Sequence, residues 1–97
     1  MRPRNTRYRV EATRRARRQL AEHLPESAAV AAFEFLAGPL AENPHRVGKR
    51  LDPPMADLHS AHRGPYRIIY RIDEDAHTVW VVTVEHRRDA YRTHQSK

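Results

Sequence analysis

The chain has 97 residues, 18 Lys+Arg against 12 Asp+Glu for a formal net charge of +6, and no cysteine. A chain this short buries roughly 60–65 % of its unfolded surface, enough for one core and one domain (1–97), and without thiols it forms no disulfide and no thiolate metal site. No apolar run approaches the roughly 20 residues of a membrane span and no apolar stretch follows the basic N-terminus, so the expected compartment is the cytoplasm.

Residues 1–6 read as a flexible arm. "RYRVEAT" (7–13) alternates as a short strand does, with Tyr8 and Val10 on one side. Thr13 is placed to cap a helix whose Ala12, Ala16, Leu20 and Leu24 recur every four residues. Pro25 ends it, and Glu26–Ser27 open a second helix with an inner stripe of Ala29, Phe33, Leu36 and Leu40. Gly38-Pro39 interrupts or kinks that helix, and Asn43-Pro44 stops it. Residues 45–57 read as a basic loop. Three strands follow at 57–62, 66–72 and 78–86, joined by Gly64-Pro65 and by the acidic "DEDAH" turn. "RDAYRTHQSK" reads as a short helix and a flexible tail (93–97).

The expected fold is α+β. Its order is β-α-α-β-β-β-α, with an antiparallel sheet of about four strands and two helices on one face. Two helices after the first strand reverse the chain twice, so the strand at 57–62 is expected antiparallel to strand one. Tyr66, Ile68, Tyr70 and Ile72 are assigned to the helix-facing side together with Trp80, Val82 and Val84. The other face is left open and carries much of the arginine.

Of the 18 basic residues only Lys49 and Lys97 are lysine. A GC-rich genome accounts for arginine over lysine, but not for the net charge. The rigid guanidinium fork suits bidentate phosphate contacts and base stacking, so a basic domain of this kind points to nucleic acid. Arg14, Arg15, Arg17 and Arg18 stripe the first helix, open either to RNA or to an acidic partner helix. Arg46, Lys49, Arg50 and Arg63 suit backbone phosphates. The histidines lack metal-ligand spacing: His59 and His62 are three apart on a strand rather than on a helix. No metal and no small-molecule cofactor are expected.

"NPHRVGKRL", "LHSAHRGPYRIIYRID" and "VWVVTVEHRRDAY" together resemble the RelE/ParE superfamily of bacterial toxins, over residues 8–92, with the RelE branch nearer. The resemblance implies a microbial RNase-like fold, metal-free cleavage of messenger RNA on the ribosome, and a cognate antitoxin that wraps the toxin. Arg67 matches the family's phosphate-binding arginine. Arg87 matches the arginine that stabilises the transition state or assists the leaving group, and Tyr91 the C-terminal aromatic that stacks on a base. His86 has the side-chain type suited to acid–base work. Adjacent strand residues face opposite ways, however, so it does not share a face with Arg87. The lysines of the best-known branch member are replaced by Leu58 and Ser60, which leaves His59, His62 or Lys49 as the base. Two other readings stand beside the nuclease: a ParE-like gyrase inhibitor, and a non-catalytic nucleic-acid-binding domain.

Overall fold

The computed structural model describes residues 7–86. Five strands form one sheet in the order β1-β5-β4-β3-β2: β1 (Arg9–Ala12), β2 (Lys49–Arg50), β3 (His59–Arg63), β4 (Tyr66–Asp73) and β5 (Thr78–His86). Helix α1 (Arg14–Arg18) runs on into a π-helical stretch at Gln19–His23, and α2 (Glu26–Phe35) into another at Leu36–Leu40. A short α3 (Pro44–Val47) precedes β2. The α+β class and the order of the long elements agree with the sequence reading. Residues 88–97, read as a helix and tail, lie outside the described residues, as does the arm at 1–6.

Three features of the sheet correct the expectation. It has five strands rather than about four, and it is mixed, because β1 pairs with β5 in parallel. The strand read at 57–62 (β3) therefore runs parallel to β1, since β5, β4 and β3 alternate in direction. The two-helix reversal delivers the chain instead to β2, a two-residue strand antiparallel to β3 and too short to show periodicity.

Helix residues Ala16, Leu20, Ala32, Phe35, Leu36 and Leu40 share one buried cluster with Ala61, Ile68, Tyr70, Val79, Val81 and Val84 of the sheet. Ile68, Tyr70, Val79 and Val81 are fully enclosed, and each such side chain contributes about 1.5–3 kcal/mol of transfer free energy. The inner stripe of α2 differs from the sequence reading: Ala32 and Phe35 point inward, while Phe33 is 52% exposed. Pro39 does not break the helix as a sequence interruption would but lies within the π-helical stretch.

On β5 the expected phase is inverted. Val79 and Val81 are buried, whereas Trp80 and Val82 are half-buried. The β4–β5 register skips one residue: Ile69 pairs with Thr83 but Tyr70 with Val81, leaving Val82 as a bulge. Beyond it Val84 returns to the core. The bulge lies where β1 ends, and α1 takes over its backbone groups. Thr13 Oγ1 donates to the Val82 carbonyl at 2.9 Å and accepts from Ala16 N–H at 3.1 Å, so the expected N-cap also anchors the sheet. Gln19 Oε1 accepts from Val84 N–H at 2.7 Å and from the Thr83 hydroxyl at 3.1 Å.

Candidate functional site

β4 alternates between the helix-packed face of the sheet and the opposite face. That face is not open as expected at its centre, since Ile69, Ser60 and Thr83 there are 6%, 8% and 8% exposed. The registers place each neighbour. Ile68 and Tyr70 face the helices, so Arg67, Ile69 and Arg71 face the other way. Paired residues share a face. His62 and Glu85 therefore flank Arg67, Ser60 and Thr83 flank Ile69, and Lys49 stands beside Ser60. Arg67, Lys49, Ser60 and His62, with Arg46 and Arg50, line a cleft of about 640 Å³ along the short edge strand.

Arg67 is the cation in the middle of this surface. Its Nη2 lies 3.6 Å from Glu85 Oε1, beyond hydrogen-bond length, with the two side chains only 27% and 23% exposed. Its Nε is buried and has no hydrogen-bond partner among the described residues. A buried donor left unpaired is costly. An arginine serving only to close a cross-strand ion pair gains nothing from that arrangement.

Gly48 makes the cleft possible. A Cβ there would collide with the Tyr70 hydroxyl and stand 2.8 Å from the Ser60 carbonyl oxygen. That hydroxyl donates to the Pro44 carbonyl at 2.6 Å, and burial pushes its pKa up to about 12. Glycine thus lets β2 lie close against β3 and hold Lys49 over the face opposite the helices. At the β3–β4 turn, Gly64 has φ +60, the first-position conformation of a type II′ hairpin, which glycine takes without strain.

The structure separates the remaining sequence candidates. His59 pairs with Tyr70 and stacks on it at 5.3 Å, on the helix side of the sheet. Burial, then the neighbouring His45 and Arg50, hold its pKa below the usual imidazole range. Arg63 also turns to the helix side, its guanidinium 3.8 Å from the centre of the Phe35 ring. His86 pairs with Tyr66 in an edge-to-face contact at 5.2 Å, opposite Arg67's face. These three do not join the cleft, because strand alternation sends them to the other side. Arg50 stands at the edge, lining both this cleft and a second one of about 490 Å³ with His45, His59 and Arg71. Arg87 and Tyr91 lie outside the described residues. Among the described residues no group of three or more His, Asp or Glu is placed to hold a metal ion.

A family profile for the ParE toxin of the type II toxin–antitoxin system parDE matches residues 10–91. The chain belongs to the RelE/ParE toxin family. It is 46% identical over 85 residues to Toxin RelE of Mycobacterium tuberculosis, covering 88% of this chain and 87% of that one. Its identity to Toxin RelG of the same organism is also 46% over 85 residues, covering 88% and 97%. Among solved structures, the toxin–antitoxin complex RelBE2 from M. tuberculosis contains a chain that superposes with a TM-score of 0.78. The two are 44% identical, with 82% of this chain and 91% of that chain covered. A RelE-like toxin thus accounts for the sheet, the helix pair and the basic face together.

One residue of this toxin surface was passed over by the sequence reading. The sequence assigns Glu85 no role, although it shares Arg67's row on the sheet face opposite the helices. The alternation expected for β5, with Val84 on the helix side, already places Glu85 on the other face; only the β4–β5 register sets it opposite Arg67.

Proposed function

We propose that this toxin is a metal-independent endoribonuclease that cuts messenger RNA on the ribosome, and that a cognate antitoxin with an acidic or amphipathic helix neutralises it. The cytoplasm is where both substrate and partner are met. The observation that carries the reading is Arg67, projecting from the sheet face opposite the helices into a cleft with Lys49 and His62, its Nε without a hydrogen-bond partner among the described residues. Cleavage without a metal uses the RNA's own 2′-hydroxyl as nucleophile, and the charge gathering on phosphorus needs fixed cations. In this reading Arg67 holds the scissile phosphate and Lys49, Arg50 and Arg46 track the flanking backbone. By the family resemblance, Arg87 stabilises the transition state and Tyr91 stacks on a base. His86 and Arg63 are left out of this proposal, and His59 serves to shape the core rather than to move protons.

The test is inducible expression of the toxin, Arg67→Ala and Arg87→Ala, with message ends mapped while translation is followed. Growth arrest with codon-phased cuts, lost in both variants, is expected. The match to the ParE profile favours a second reading, gyrase inhibition by binding. Arrest with DNA damage and intact messages would select it, and no arrest would select a plain nucleic-acid-binding domain.

A further inference from the structure

The sheet registers set three chemically different side chains in one row on the sheet face opposite the helices. His62 of β3 stands opposite Arg67 of β4, which stands opposite Glu85 of β5. Neighbouring strands are about 4.8 Å apart, so His62 and Glu85 flank Arg67 across a backbone span of about 10 Å. Displacement at phosphorus is in line: the attacking and leaving oxygens lie on opposite sides of the phosphoryl group. A base and an acid serving those two oxygens must therefore flank the cation that holds the phosphate. The row has that order.

We propose that Glu85 is the general base and His62 the general acid of RNA cleavage, with Arg67 gripping the phosphate between them. The proposal rests on the ribonuclease reading above. As the bond from the 2′-oxygen to phosphorus forms, the 2′-hydroxyl proton passes to the Glu85 carboxylate. As the bond from phosphorus to the 5′-oxygen breaks, that oxygen takes a proton from the His62 imidazolium. The products are a 2′,3′-cyclic phosphate and a 5′-hydroxyl. Glu85 ends protonated and His62 neutral, and proton exchange with water restores both.

The direction follows from the groups themselves. A carboxylate in an ion pair offers only acceptor sites, whereas an imidazolium has a proton to give. Among the described residues Arg67 is the charged group paired with Glu85, and Arg46, Lys49, Arg50, Asp52 and Arg67 line the cleft with His62. This pair also removes the need for the missing lysines at Leu58 and Ser60.

The two roles are separated by single-turnover cleavage of ribosome-bound message, native or with sulfur replacing the scissile 5′-oxygen. A sulfur leaving group needs no acid. Glu85→Gln is expected to slow both substrates by about 10²–10⁴-fold and to flatten the acidic limb of the pH–rate profile. His62→Gln is expected to lose a similar factor on native RNA only, with the sulfur substrate cut near the wild-type rate and the alkaline limb flattened. Thermal melts close to wild type keep a folding defect from imitating either result. Should Glu85→Gln melt early, Glu85→Asp takes its place, with partial activity expected. Wild-type rates in a folded Glu85→Gln, or no sulfur rescue of His62→Gln, overturn the assignment. If that happens while Arg67→Ala is inactive, the nuclease reading survives and other groups move the protons. A wild type that cuts no message overturns both.

Discussion

A methyl group at position 48 has nowhere to go. It would press on the Tyr70 hydroxyl and on the β3 backbone at Ser60, and neither is the loose end of a flexible chain. Gly48→Ala is therefore expected to destabilise the fold by about 1–3 kcal/mol in urea titration and to push β2, with Lys49, off the cleft. Tyr70→Phe is expected to cost a similar amount, about 1–3 kcal/mol, because the buried Pro44 carbonyl loses its donor. Arg67 was identifiable from "GPYR", but its loose pairing was not, since distance to Glu85 depends on two strands coming into register. On the proposed function, Arg67→Lys should fall nearly as far as Arg67→Ala, about 10²–10³-fold in cleavage rate. A point charge does not replace the planar fork.

At the scale of elements, the connection of α1 to the β5 bulge depends on two side chains. Gln19→Ala removes the acceptor for Val84 N–H and the Thr83 hydroxyl. The expected loss is about 1–3 kcal/mol, with faster amide exchange at Val84 than at Val79. Thr13→Ala loses both a helix cap and the Val82 contact, so its cost is expected at the upper end of capping effects, about 2 kcal/mol. Thr13 as a cap was legible because the signal is local: a threonine before a four-residue apolar repeat. Gln19's role was not, because the residues it serves lie 64 and 65 positions away. The edge strand β2 carries Lys49, the only lysine among the described residues. Lys49→Ala is expected to lower the slope of log K against log salt for single-stranded RNA by about 0.7 without changing its base preference.

Across the whole molecule, two groups that share His45 as a neighbour make the fold sensitive to acid. His59 is held below its ordinary value of 6.5 by burial. Below that pH the unfolded chain takes a proton that the folded chain resists, and stability falls as pH drops. Glu74 pairs with His45 and accepts from Tyr8, joining the β4–β5 turn to α3 and to the residue just before β1. These bonds hold its carboxyl below the ordinary 4.5, so its contribution is present above that value and lost as pH falls through the lower folded one. The urea midpoint is expected to be flat above about pH 7 and to decline in two stages below. His59→Asn should remove the upper stage and Glu74→Gln the lower.

The sequence by itself determined the types of the long elements, the helix-facing residues of β4, the basic character of the molecule and the place of Arg67. All of these follow from spacing and composition within a dozen residues. The helix at Pro44–Val47 and the strand at Lys49–Arg50, inside the expected loop, were not among them. Only the tertiary structure decided the parallel β1–β5 pair, the β5 phase and which cations share a face. A side chain's face depends on register, and register is set by partners far along the chain. One extra residue at Val82 reverses it within β5, so Glu85 joins Arg67 while His86 turns to the helices, and the β3–β4 register sends Arg63 and His59 to that same side.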